Sequence, residues 1–118
     1  MGDLGLRHAL VGYRSEHINQ FLENIVYLEL LRRGFRVYIG KLSNREIDFI
    51  AEKPDEKIYI QVCYLLATSE IFEREFGVLQ EVEDNHPKLV LSLDDSSFGS
   101  SFFGIKRKNL IDWLLEDI

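Results

Sequence analysis

Hydrophobic and polar positions alternate along this chain with two distinct periods, and the switches between them mark its elements. Over residues 16–33 the spacing is helical: Ile18, Phe21, Leu22, Ile25, Val26, Leu28 and Leu30 fall on one broad arc at about 100° per residue. Arg32 and Arg33 stand in the last turn, where cations complement the helix dipole, and Gly34 supplies the stop. Period two then takes over. Residues 35–40, 46–52 and 57–64 alternate and are rich in β-branched and aromatic side chains, which predicts three strands. Lys53-Pro54-Asp55-Glu56 is turn chemistry, so the second and third strands form a hairpin. Thr68 or Ser69 can cap a second helix running to about Phe76, with Ile71, Phe72, Phe76 and Leu79 as its apolar face.

Glu83-Asp84-Asn85 breaks that helix, and Pro87 opens a strand over 88–93. Residues 94–101 read as a polar, serine-rich loop, 102–105 as a short edge strand and 108–115 as a closing helix. Gly2, Gly5 and Gly12 make residues 1–15 an irregular lead-in. The order is αβββαβ followed by a small β and α. The third strand, the second helix and the fourth strand are expected to make a right-handed βαβ unit, giving a mixed sheet flanked by helices in a single α/β domain over 1–118.

Composition narrows the class. With 46% hydrophobic residues, 12% aromatics and only 2 prolines in 118 residues, the chain can build an ordinary core and is not disordered. Its one cysteine, Cys63, excludes an internal disulfide and suits a reducing cytoplasm. No apolar run approaches the roughly 20 residues of a membrane span, and no secretory leader is evident. Lys plus Arg is 14 against 20 Asp plus Glu, a formal net charge of −6 that opposes tight autonomous binding to phosphate backbones. Two basic clusters, Arg32, Arg33, Arg36, Lys41 and Arg45, and Lys106-Arg107-Lys108, are expected to be solvated faces.

The hairpin register brings out the chemistry. With the turn centred between Pro54 and Asp55, Asp48 faces Gln61 and Glu46 faces Cys63, and period-two alternation places all four on one face of the sheet. Polar residues mid-strand in apolar runs are out of pattern for a simple core. Glu23 falls at the margin of the first helix's apolar arc, close enough to point at the sheet. Glu29, nearer the arc's centre, is expected to pair with Arg32 or Arg33.

Glu23 eleven residues before Gly34, Ile47-Asp48-Phe49 on one strand and Ile60-Gln61-Val62 on the next resemble the PD-(D/E)XK nuclease superfamily, whose common core is αβββαβ. More closely, the segment Leu22-Glu23-Asn24-Ile25-Val26-Tyr27-Leu28-Glu29-Leu30-Leu31-Arg32-Arg33-Gly34 is similar to the C-terminal domain of unknown function in bacterial and archaeal AAA-type ATPases. Glu46-Ile47-Asp48-Phe49, Tyr59-Ile60-Gln61-Val62 and Glu73-Arg74-Glu75-Phe76-Gly77 belong to the same likeness, which covers essentially the whole chain from Asp3-Leu4-Gly5-Leu6-Arg7 onward. The resemblance implies a restriction-endonuclease-like fold and a site in which acids bind Mg²⁺ and a lysine helps activate water. Glu23 and Asp48 match the acids and would be the metal ligands. Gln61 stands where the second acid belongs, and Cys63 where the lysine belongs. A neutral carboxamide is a poorer ligand for a hard cation, and loss of the lysine removes a charge from the transition state.

Other candidates carry less. Cys63 has no base nearby in sequence and is expected to be a buried, inert thiol. His8, His17 and His86 lack metal-ligand spacing, and no phosphate-binding P-loop occurs. Glu46, opposite Cys63, is a replacement ligand in reserve. Arg74 and Glu75 are expected to form a solvent-facing pair; an Arg74 turned into the Asp48 cleft would restore the missing positive charge. The expected function is an accessory, catalytically degenerate module of an AAA-type ATPase, excised from a longer chain with the ATPase domain in cis, that recognises DNA or protein. Two alternatives stay open: a Mg²⁺-dependent DNA endonuclease using Glu23, Asp48 and Gln61, and a homodimerisation module using the sheet edge or the last helix, where Trp113, Leu114 and Leu115 cluster.

Overall fold

A computed structural model describes residues 15–42 and 44–116. The chain runs α1 (Ser15–Arg32), β1 (Arg36–Leu42), β2 (Arg45–Lys53), β3 (Glu56–Val62), α2 (Ser69–Gln80), β4 (Lys88–Ser92), a 3₁₀ turn (Ser96–Phe98), β5 (Ser101–Phe102), β6 (Ile105–Asn109) and α3 (Leu110–Leu115). The expected αβββαβ core is present. Ser15 already belongs to α1, one residue inside the expected lead-in, whose remainder lies outside the described residues.

The strands form one mixed sheet in the order β1-β2-β3-β4-β6-β5. β1, β2 and β3 are an antiparallel meander; β3, β4 and β6 run parallel; β5 returns antiparallel on β6. Thr68 caps α2, its side chain accepting the Ile71 N–H at 3.1 Å. Three expectations for the C-terminal quarter need correction. Residues 102–105 are not one strand: Phe103 and Gly104 take left-handed φ values of 55° and 80° and turn the chain from β5 into β6. Lys106, Arg107 and Lys108 lie within β6, so the closing helix starts at Leu110 rather than 108. Nor is this cluster simply solvated. Arg107 is buried, stacks on Phe98 and donates to the carbonyls of Asp94, Asp95 and Gly99.

Both sheet faces are covered. On one, Ile18, Leu22, Val26 and Leu30 of α1 pack with Trp113 of α3 on Phe49, Ile60, Val62 and Leu91. On the other, Phe76, Val78 and Leu79 of α2 pack on Ile47, Tyr59, Cys63, Val90 and Ile105. The core stripe of α1 is thus narrower than the predicted arc, and Phe21 and Leu28 face outward. Trp113 is core rather than a dimerisation patch; Leu115 alone of the three is largely exposed.

β2 carries a bulge where the chemistry is expected. β1 pairs Tyr38 with Ile50 but Gly40 with Ile47, so Ile39 opposes both Asp48 and Phe49. The extra residue resets the alternation: Phe49 and Ala51 lie on the α1 face, while Ile47 lies on the α2 face. Gly40 makes room for this, because a Cβ there would sit 3.1 Å from the Ile47 Cβ and 2.7 Å from the Ile50 Cδ1.

Candidate functional site

The site lies where β2 and β3 part. Their ladder follows the predicted register, Phe49 opposite Ile60 and Lys53 opposite Glu56, but it ends at Phe49. From there β2 stays with β1 as far as Arg45, while β3 stays with β4, where Cys63 N–H reaches the Leu91 carbonyl at 3.0 Å. Two side chains close the fork. Asp48 N–H donates to Gln61 Oε1 at 2.7 Å, and Val62 N–H donates to Asp48 Oδ2 at 2.8 Å. The expected pairing of Asp48 with Gln61 is therefore present, as a side-chain-for-backbone exchange.

Helices from both faces reach this fork. Asn19 of α1 accepts the Tyr64 N–H at 2.7 Å, fixing the helix over the end of β3, and Glu23 lies one turn further along the same side of α1. Glu23 is half-buried, and its carboxyl is pushed up to about 7, first by burial and then by the Asp48 charge. From α2, Glu75 is buried to 7% exposure and likewise pushed up to about 7, by burial, then by Asp48 and more distantly by Glu23. Asp48 itself is raised to about 6 by burial, against the Val62 N–H that favours its charged form. The Asp48 charge thus acts on glutamates of both helices, one on each face of the sheet.

Glu29 stands apart from these glutamates. Hydrogen bonds from Arg32 and Arg33 hold it down at about 2, so the expected pairing is found with both arginines.

The remaining candidates are placed as follows. Gln61 is buried, and its carbonyl oxygen is committed to Asp48. Cys63 is buried among apolar side chains; burial, then Glu75, Asp94 and Asp48, drive its thiol far up, so it is a neutral group. Glu46 does not face Cys63: it is exposed, pairs with Lys41 across the β1 edge and lines the rim of the cleft. The bulge is what displaces it from the expected face. Arg74 is 62% exposed and touches Glu75 through Nε at 3.3 Å, and its charge also favours ionised Asp48. The expected solvent-facing pair is thus half right, because Glu75 is buried. Asn19 is not among the expected site residues, and Glu75 is expected only as the solvent-facing partner of Arg74. Glu75 had a signal: at about 100° per residue it falls between Ile71 and Leu79, inside the apolar arc of its helix. Asn19 had none short of the tertiary contact.

These donors do not fit the Mg²⁺ site that the resemblance implies. Gln61 Oε1 is engaged by Asp48 N–H, and Val62 N–H engages one Asp48 oxygen. Among the described residues, no three His, Cys, Asp or Glu side chains are grouped to hold a metal ion.

No established family profile matches the chain. It is 38% identical over 114 residues, 97% of its length, to an uncharacterized protein of Haemophilus influenzae, of which it covers 28%. It is 33% identical over 92 residues, 71% of its length, to an uncharacterized protein of Methanocaldococcus jannaschii, of which it covers 21%. The chain therefore spans under a third of either relative, and a segment like it lies within longer proteins of a bacterium and an archaeon. None of the described helices is long and apolar enough to cross a membrane.

Proposed function

We propose that this domain is a catalytically degenerate, nuclease-like accessory module that recognises a protein partner for a longer, cytoplasmic chain carrying an AAA-type ATPase. The observation that carries this reading is the Gln61 carbonyl bonded to Asp48 N–H, which makes the second acid position a structural clasp. The lysine position supports it, being a buried neutral thiol that can neither orient water nor stabilise developing negative charge. Each such loss is worth on the order of 10²–10³ in rate, so two leave little of a nuclease. Protein is favoured over DNA because the fork gathers carboxylates, which repel phosphate, in a chain of net charge −6. The greater length of the relatives supports a second functional unit in cis.

The test is plasmid and single-strand cleavage with Mg²⁺ and Mn²⁺ beside an Asp48→Ala protein. Equal background in both is expected; metal-dependent cleavage that disappears in Asp48→Ala overturns the proposal.

One observation favours a second reading, homodimerisation. The edge strand β1 exposes Tyr38 and Ile39, and α1 exposes Phe21, Leu28 and Leu31. Light scattering across a concentration series tests it: a constant monomer mass rejects it.

A further inference from the structure

The fork between β2 and β3 opens into a cleft of about 300 Å³ lined by Asp48, Gln61, Glu75, Glu46, Arg45 and Arg74. Acids outnumber bases around it. Glu46, Asp48 and Glu75 line it and Glu23 couples to it from α1, against two guanidinium groups. Arg45 is already spent on Glu81 and on the Arg74 carbonyl. Arg74 is mostly in solvent and engages only Oε2 of Glu75. Oε1 of Glu75 is fully buried and accepts nothing. A buried carboxyl oxygen without a partner costs roughly 1–3 kcal/mol, and native structures seldom leave one uncompleted.

Two cationic occupants can be separated on geometry. A divalent metal needs several carboxylates converging on one point, and the described residues offer no such group. A guanidinium carries five N–H donors in a planar fork and can satisfy carboxylates that are spread apart. Arg45 and Arg74 also line a larger groove of about 860 Å³ along α2. Phe72 and Phe103 line that groove, and Phe103 is 72% exposed at a left-handed φ that a bulky residue rarely adopts. Nothing in the core explains an aromatic there; a peptide lying along α2 would give it a surface to cover.

We infer that the cleft receives an arginine side chain of the partner, with the Glu75 and Asp48 carboxyl groups as its acceptors and the groove beside Phe72 and Phe103 holding the flanking apolar residues. This rests on the partner-recognition reading and names the chemistry of that partner: a basic segment with apolar neighbours. The inserted guanidinium supplies, from another polypeptide, the positive charge that Cys63 does not.

The experiment is an NMR titration of the 118-residue chain at low salt with a blocked Leu-Arg-Phe tripeptide, its citrulline counterpart, Mg²⁺, and a duplex oligonucleotide. Expected are saturable shifts at the amides of Asp48, Gln61, Val62 and Glu75, with the arginine peptide binding at least about tenfold tighter than the citrulline one. Glu75→Gln, isosteric and without the buried charge, should lose that about tenfold preference. If that variant gives a collapsed spectrum, Glu23→Gln, which removes the α1 charge that acts on Asp48, must lower the preference instead. Equal binding of both peptides, an unchanged preference in the variant, no saturable shift, or tighter perturbation of the same amides by Mg²⁺ or DNA overturns the inference. None of these outcomes depends on the cleavage assay, so the two proposals fail separately.

Discussion

Asp48 and Gln61 hold the β2–β3 fork by exchange: the backbone of the first is bonded to the side chain of the second at 2.7 Å, and the Asp48 carboxylate returns a bond to Val62 N–H, the next residue along β3. The two polar groups that look most catalytic in the sequence therefore replace a rung of the ladder just where the strands separate. Gln61→Leu, of similar size, should leave Asp48 N–H without its acceptor and destabilise the domain by about 1–3 kcal/mol, read from the denaturant midpoint. An unchanged midpoint would show that the exchange has no structural weight.

The carboxyl cluster sets a pH dependence with a definite sign. Glu75 is raised to about 7 from 4.5 and Asp48 to about 6 from 3.8, so the folded state binds protons more tightly than the unfolded one. Their contribution is fully present below about pH 4 and is lost as pH rises through 6 to 7. For Glu75 alone the loss is on the order of 3 kcal/mol. Stability should therefore fall between pH 5 and 8, as urea midpoints at each pH would record, and Glu75→Gln should flatten the slope. Glu29, held at about 2 by its arginines, has the opposite sign, but its window lies below about pH 4.5.

Gly40→Ala is expected to cost about 1–3 kcal/mol, because the new methyl group meets the Ile47 Cβ at 3.1 Å on a backbone that the bulge holds in place. Ile50 can rotate its Cδ1 away; the Ile47 Cβ cannot. Thermal melts decide it, and a variant as stable as the parent would show that the bulge relaxes freely.

What the sequence makes legible here is what local periodicity and turn chemistry specify. The turn at Pro54 and Asp55 sets the β2–β3 register, and that register holds from Lys53–Glu56 to Phe49–Ile60. It misplaces Glu46 because a bulge obeys neither period: Asp48 and Phe49 look like any two residues of an alternating strand, and only the close approach of Gly40 betrays the insertion. Glu75 was readable as an acid inside an apolar arc. Arg107 was not, since a Lys-Arg-Lys run looks solvated until β6 joins the sheet beside β4 and turns the middle residue inward.

Buried Arg107 offers a test of that inward turn. Its guanidinium donates to three backbone carbonyls, of Asp95 at 2.7 Å, Asp94 at 2.9 Å and Gly99 at 3.0 Å. Arg107→Ala leaves those carbonyls without their donor and should cost roughly 3 kcal/mol. Arg107→Lys should not recover it, because an ammonium cannot span three acceptors laid out for a planar fork. Matching unfolding midpoints for parent and lysine variant would refute the clamp.

By the nuclease resemblance, Gln61→Glu supplies a second acid beside Asp48, and Cys63→Lys supplies a cation. A lysine is ordinarily costly at a site 1% exposed, but here the groups that push the thiol up, Glu75, Asp94 and Asp48, are carboxylates that would welcome an ammonium. Each single change leaves one part missing: the glutamate alone adds a negative charge to an acidic cluster, and the lysine alone lacks the second metal-binding acid. The double variant supplies both, placing a new carboxylate and a cation beside Asp48. Mg²⁺-dependent DNA cleavage is therefore expected in the double variant, in neither single, and to disappear when Asp48→Ala is added. A well-folded double variant that shows no cleavage and no Mg²⁺-induced NMR shift would mean that this fork never had the geometry of a nuclease, and the likeness would then be one of fold alone.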